Sequence, residues 1–580
     1  MGSSKENRIL KRRGGILVPL SSILTKDSFE CGDISSLFLL GKWARSAGFS
    51  ILQILPLNDT GFGKSPYSSI SAFAIDPIYI SLKELGISMV SRKSKIVSNQ
   101  VNQTRIRELK LVELRKFFLS AKEKNEKLAN LFLSEHSWVE GYVCFRVLYA
   151  RNEGKDWSFW PKEQKDPGKV KEQIFSDFKE EALFLSYLQY IAFIQLEKAK
   201  QSLEKIGVFL KGDMPILTSR NSADVWEHPE YFELDLQAGA PPDAFSDEGQ
   251  NWGFPVLNWN VLRKTKFSWW KERLRYLDHF FHLYRIDHVI GMYRIWAIPI
   301  QQTSAKFGWF HPQIGCSRSH FLEKGLDVED LIKRKLIYEF KKDSFVFYWD
   351  FWKESGWSEL PEEIKAKAFP LSEINLKEDE TLWAKSGEEI LSALDGFASA
   401  VPCAEDLGAV PGFIRDSLKK RNTLGIDVIR WTRSLENGNY IEPEGYRKTA
   451  ISVLSTHDTS LALDWWMNLS NGEKEYAQTF FFTDQKKELP ASASEILEGL
   501  LDFSFSTNSL FSIQILQDLL FTGENAILEN LSSHRFNLPG TPEDKNWSYR
   551  FSFYIEDLIL DEKLTLALKE KMVRSHRFVE

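Results

Sequence analysis

Short apolar runs alternate with long amphipathic ones along this 580-residue chain. "ILVPL" (16–20) and "ILQILPL" (51–57) are continuous in apolar residues, as buried parallel strands are. Between them, "DISSLFLLGKWARSAG" has helical spacing and ends at Gly48, which predicts a β-α-β unit. "EALFLSYLQYIAFIQLEKAKQSLEKI" (181–206) reads as an amphipathic helix closed by Gly207, and the strand "VFLKGDMPI" (208–216) follows at once. The helical pattern returns over 269–286 through Trp270, Leu274, Leu277 and Phe281, and runs into "LYRIDHV". Further strands are predicted at "AVPCAEDL" (400–407), "GIDVIR" (425–430), "AISVLSTHD" (450–458) and "RFNLPG" (535–540). Eight strands alternating mostly with helices point to an α/β fold, a (β/α)₈ TIM barrel. No low-complexity linker divides residues 1–580, so one barrel domain is expected. Residues 58–207 and 300–395 are too long for plain connections and read as inserted subdomains, the first mainly helical, between strands two and three and strands four and five.

Composition narrows the function classes. Lys and Arg number 74 against 80 Asp and Glu, and no basic run stands out, so nothing calls for nucleic acid. Residues Cys31, Cys144, Cys316 and Cys403 lie far apart without metal-ligand spacing and read as free thiols of a reducing compartment. No apolar run approaches the roughly 18 residues of a membrane helix, and the N-terminus lacks a signal-peptide core. A cytoplasmic location is expected, away from any membrane. The 19 Trp and 42 Phe are mostly core, but flat aromatic faces also suit the C–H faces of sugar rings.

The chemistry lies in acids. At the C-terminal ends of barrel strands, polar residues face the active site. Three acidic residues are predicted there: Asp287 ends the fourth strand, Glu405 the fifth and Asp458 the seventh. Glycoside cleavage needs one carboxylate to attack the anomeric carbon and one carboxyl to protonate the leaving oxygen. Arg285, two residues before Asp287 on the same strand face, would keep a nucleophile ionised. Glu405 follows apolar residues in "PCAEDLG", where desolvation raises a carboxyl toward acid duty. Asp458, with His457 beside it, suits the gripping of sugar hydroxyls. Taken singly, each acid has a bland reading as an ion pair or helix cap. A metal site is the weaker rival, because each histidine adjoins its acid and side chains diverge along a strand.

These residues bring a family into view. The chain resembles the 4-α-glucanotransferases, the amylomaltase or disproportionating-enzyme family of the α-amylase clan, from about Gly14 to Arg550. "RIDH" with the following "RIW" is similar to the family's nucleophile strand, "AEDLG" to its acid/base strand and "THDT" to its third-acid strand. "SPYSSISAFAIDPIYI" resembles the donor-site segment, with Tyr67 as its tyrosine. "GDMPI" resembles the third-strand motif, with Asp213 its sugar-binding acid. "GAPPDAFSDEGQNWGFP" (239–255) resembles a loop peculiar to the family, and "NLPGTPEDKNWSYR" its C-terminal motif, which carries Asn537 and Pro539. "LPLNDT", "SRNSADVW", "NWGFPVLNW" and the long span from Asp287 to Glu405 resemble the cytosolic maltose-using members. Only some fifteen residues precede the first strand, where that subgroup commonly carries starch-binding modules. Ala244-Phe245 and Thr459-Ser460 depart from the usual Tyr-Phe and Asn-Asp.

The resemblance implies a retaining double displacement that moves glucosyl or α-1,4-glucan units from maltose or malto-oligosaccharides to the 4-hydroxyl of a glucan or glucose acceptor. Asp287 would be nucleophile, Glu405 acid/base and Asp458 the third acid, supported by Tyr67, Asp213, Arg285, His288 and His457, with no cofactor or metal. Transfer requires that water be kept from the intermediate. The 239–255 loop, stiffened by Pro241 and Pro242 and carrying Phe245, Trp252 and Phe254, offers apolar cover. The alternatives are an α-glucan hydrolase on the same scaffold and a non-catalytic glucan-binding protein.

Overall fold

The computed structural model describes residues 8–88, 99–243, 246–408, 410–434, 436–482, 492–522, 530–541 and 546–580. Eight parallel strands form the central sheet: β1 (Arg13–Leu17), β2 (Ile51–Gln53), β3 (Phe209–Pro215), β4 (Leu283–Asp287), β5 (Val401–Ala404), β6 (Gly425–Val428), β7 (Ala450–Val453) and β8 (Phe511–Ile515). Their order is β5-β4-β3-β2-β1-β8-β7-β6. A parallel bridge from Cys403 to Leu424, with the Ala404 N–H donating to the Leu424 carbonyl at 2.7 Å, joins the two ends. The sheet is thus closed into a barrel, and helices separate its strands. Gly15 shows how tightly its interior is filled. A Cβ there would come within 2.9 Å of both Ile51 and Ile513 on the flanking strands.

Most elements lie where the hydrophobic pattern puts them. Helices occupy Ser36–Ser46 and Lys179–Lys205, and Gly207 ends the second with φ 76°, a left-handed conformation that favours glycine. The helix predicted over 269–286 stops at Asp278, because the chain must straighten to enter β4. One strand is corrected. The "RFNLPG" segment is loop, and the eighth strand is "FSIQI" at Phe511–Ile515. That strand runs directly into the helix Leu516–Leu520, and the polar Ser512, Gln514, Gln517 and Asp518 interrupt the continuous apolar run that marks the other strands.

Two long excursions build on the barrel's C-terminal rim. Between β2 and β3, helices Gln103–Ser120 and Trp138–Arg151 buttress the loop that follows β2, with Lys122–Glu135 between them in the chain. The buried Asp59 carboxylate takes Tyr142 Oη at 2.6 Å and Arg146 Nε at 3.0 Å. Asp76 takes Arg107 at 2.6 Å. Buried ion pairs of this kind are costly to break from one side, so they fix the 59–76 loop firmly. After β3 comes the antiparallel hairpin Phe232–Ala240 and Gln250–Leu257, extended by Ile295–Pro299 and Trp309–His311 beyond β4. A second small sheet (Cys316–Ser317, Ile337–Lys341, Ser344–Phe347) has its own core around Phe321, Leu336 and Phe345. The 33-residue helix Glu362–Leu394 then leads back toward β5.

Candidate active site

Strand register assembles the site. Asp213 of β3, Arg285 of β4 and Cys403 of β5 are aligned neighbours, and Pro215 aligns with Asp287. Side chains alternate along a strand, so Asp213, Arg285 and Asp287 all point into the barrel mouth. Arg285 Nη1 lies 2.9 Å and 3.0 Å from the two oxygens of Asp213 and 2.7 Å from Asp287 Oδ1. Its Nη2 lies 3.7 Å from Glu405 Oε2, directly after β5. One guanidinium therefore touches carboxylates from three strands. The Glu405 oxygen also accepts the His288 main-chain N–H at 2.7 Å. His288 adopts a left-handed backbone (φ 53°), a strained conformation for a side-chain-bearing residue, and it aims that N–H across at Glu405.

Asp458 differs from expectation in its perch. Strand β7 ends at Val453, and Asp458 lies beyond it in the 456–459 turn. Arg430 secures this loop, donating to Leu454 O at 3.0 Å, Ser455 Oγ at 2.7 Å and Ser460 Oγ at 2.8 Å. Asn537 Nδ2 donates to Asp458 Oδ1 at 2.7 Å. His457 Nε2 stands 3.1 Å from Asp458 Oδ2 and 2.9 Å from the Tyr67 hydroxyl, which donates to Asp213 at 2.9 Å. With the phenol O–H directed at Asp213, Nε2 carries the hydrogen shared between Tyr67 and Asp458. A continuous polar network thus runs Asp458, His457, Tyr67, Asp213, Arg285, Asp287.

Exposure separates the acids. The Asp213 side chain is fully buried, whereas Asp287, Glu405 and Asp458 keep 27%, 17% and 42% of their surface open. Their electrostatics diverge as well. Burial raises the Glu405 carboxyl to about 8, and the charge of Asp287 adds to this against the pull of Arg285. Burial raises Asp287 too, opposed first by Arg285. Burial also works on Asp458, but the charge and hydrogen bond of His457 and the Asn537 amide hold it at about 2. Burial, then the Arg285 charge, lowers the His288 imidazole to about 4, so it is neutral at pH 7. Acid-assisted displacement at a glycosidic carbon requires a carboxyl raised toward its protonated form, as Glu405 is, and Asp458 beside it is shifted the opposite way.

The family profile described as 4-alpha-glucanotransferase matches residues 18–556. The chain belongs to this family. It is 32% identical over 563 residues to the 4-alpha-glucanotransferase of Chlamydia pneumoniae, covering 95% of this chain and 93% of that one. It is 27% identical to the 4-alpha-glucanotransferase DPE2 of Oryza sativa subsp. japonica, covering 98% of this chain and 70% of the relative. The fold is similar to an amylomaltase from Streptococcus agalactiae solved in complex with acarbose, with a TM-score of 0.74 and 24% identity, over 98% of this chain and all of that one. The protein is therefore a transglycosylating enzyme of the 4-alpha-glucanotransferase family, on a TIM barrel.

Within this glucanotransferase, Tyr67, Asp213, Arg285, Asp287, His288, Glu405, His457, Asp458 and Asn537 are brought together by the contacts above. Trp252, on the hairpin, joins them by packing edge-on against His288, with ring centroids 4.9 Å apart. Phe245 lies outside the described residues. Pro539 is exposed in a turn where Asn546 accepts the Leu538 N–H, and no described contact carries it to the carboxylates. Trp547 is a residue that sequence reasoning missed. Its ring lies 5.6 Å from Tyr67 and 6.1 Å from His457. The signal was present in "NWSYR", but only folding brings this segment to the loop after β2. Among the described residues, no group of three or more His, Cys, Asp or Glu could hold a metal ion. No described helix is long and apolar enough to cross a membrane.

Proposed function

We propose that Asp287 is the nucleophile, Glu405 the acid/base and Asp458 the acid that holds donor hydroxyls. The observation that carries this reading is the Arg285 guanidinium, 2.7 Å from Asp287 and 3.7 Å from Glu405. It ties both carboxyls to one cation at the barrel mouth. Arg285 engages Asp287 Oδ1, and Oδ2 attacks the donor's anomeric carbon. The C1–O bond breaks as Glu405 gives its proton to the departing glucosyl oxygen. Glu405, now a carboxylate, takes the proton of an acceptor 4-hydroxyl. That oxygen attacks C1 and releases Asp287, so configuration is retained over two inversions. Asp213, closed off from the cleft, acts through Arg285 and Tyr67 as a positioning residue.

Donors are maltose and malto-oligosaccharides, and the acceptor is glucose or a glucan. Transfer must outrun attack by water at roughly 55 M, which a positioned acceptor of higher effective molarity achieves. The hairpin carrying Trp252 supports this by covering the approach to His288 and Glu405. The four described cysteines are all free and buried, which supports a cytoplasmic setting. Incubation with maltose tests the reading. Glucose and longer oligomers should form at constant total reducing ends. A rise in reducing ends with glucose as sole product would mean hydrolysis, and maltose bound without turnover would mean a binding protein.

A further inference from the structure

A cavity of about 560 Å³ lies on the outer face of β4, away from the barrel mouth. Arg285 and Asp287 point into the mouth, so Tyr284 and Ile286 point the other way and line this space. In a plain β/α unit the following helix would cover them. Here the chain leaves after β4, and on the return the end of the helix Glu362–Leu394 lines the space through Leu391 and Leu394. Leu418 closes a further side.

The two ends of the cavity differ. The deep end is apolar and reaches Val289 and Met292, both fully buried. The mouth carries charge, but that charge is already matched within the protein. Arg421 is paired with Asp395 and, at 2.7 Å, with Glu388. Lys200 donates to the Asp278 carbonyl. Two hydroxyls of the lining, on Tyr284 and Thr423, are unmatched among the described residues. Tyr284 is only 6% exposed, and its hydroxyl makes no hydrogen bond among the described residues. A ligand that pairs with this hydroxyl adds a hydrogen bond that the protein does not supply.

We propose that this cavity binds a small neutral amphiphile, an apolar body with one hydroxyl or carbonyl that pairs with Tyr284, and that its occupant acts on Glu405. The class follows from the lining. Apolar walls take the body, the matched mouth favours no ionic head, and the volume admits a ligand of about nine heavy atoms or more. The coupling follows from the turn. Val289 and Met292 flank the tight turn in which Gly291 donates to the His288 carbonyl at 2.9 Å, and His288 donates in turn to Glu405. A Cβ on Gly291 would meet Ile216 at 2.5 Å, so the turn has little room to absorb pressure from the cavity. The coupling rests on Glu405 being the acid/base. The binding does not.

The test uses 1-octanol and the full chain. Calorimetry on the Asp287→Asn protein reads binding without turnover. Saturable binding is expected, weakened about fivefold by Tyr284→Phe, which removes only the hydroxyl. The double substitution Leu391→Phe with Leu418→Phe should weaken it at least about tenfold by filling the space. Absence of saturable binding, or binding unchanged in Tyr284→Phe, overturns the site. In the active enzyme, saturating octanol should displace the alkaline limb of the kcat profile without raising KM for maltose. A rise in KM alone would place octanol in the sugar cleft and overturn the proposal. A limb that does not move overturns the coupling.

Discussion

The main-chain N–H of His288 donates to the side chain of Glu405 at 2.7 Å, so the residue after the proposed nucleophile positions the proposed acid/base. Arg285 touches both carboxyls from below. The two acids are thus aligned by one strand and the turn that ends it, and each can be tested separately.

Asp287→Asn keeps the shape of the side chain and removes its nucleophilic charge. Turnover of maltose should fall by at least about a thousandfold, while the melting temperature stays within a few degrees of the parent. Glucose release and calorimetry of unfolding check this. Loss of fold instead would make the Arg285–Asp287 pair structural.

Glu405→Gln cannot deliver a proton. Transfer from maltose should slow by about 10²–10⁴, the usual worth of general acid catalysis. A donor whose leaving group needs no proton, such as α-maltosyl fluoride, should react at close to the parent rate in its first step. Equal losses on both donors would exclude an acid role.

The pH dependence follows from the same carboxyl. Glu405 is raised from an ordinary 4.5 to about 8, chiefly by burial, so the proton-donating form is lost as pH rises through about 8. An alkaline limb near there is expected in kcat/KM for maltose, and it should vanish in Glu405→Gln. Stability carries the same sign. A group that binds its proton more tightly when folded contributes fully below its unfolded value, and that contribution fades between about 4.5 and about 8. Chemical denaturation across that window should show the parent losing more stability than Glu405→Gln. Asp458, held at about 2, stays ionised throughout and adds no limb.

Asn537→Ala removes the amide that donates to Asp458 at 2.7 Å. Since one hydrogen bond to a charged group is worth about 1.5–3 kcal/mol, kcat/KM should drop roughly 10- to 150-fold with little change in folding. Michaelis profiles with maltotriose decide it.

Trp252→Ala opens the cover above His288. The expected signature is a higher ratio of hydrolysis to transfer, read as new reducing ends per glucose released. An unchanged ratio would mean that the hairpin does not exclude water.

The sequence by itself determined the barrel and its chemistry to a large extent. Periodicity marked seven of the eight strands, because a parallel strand buried on both faces is written as a continuous apolar run. It also marked Arg285 and Asp287, because charge inside such a run stands out. The eighth strand at Phe511–Ile515 was hidden, since the buried Ser512 and Gln514 break its apolar run and a helix follows it without a turn. The Asp458 loop, the part played by Trp547 and the His288–Glu405 bond were decided by tertiary structure alone. Local patterning records whether a residue faces core or solvent. Which distant residue it meets depends on strand register and closure of the sheet, and no single segment encodes either.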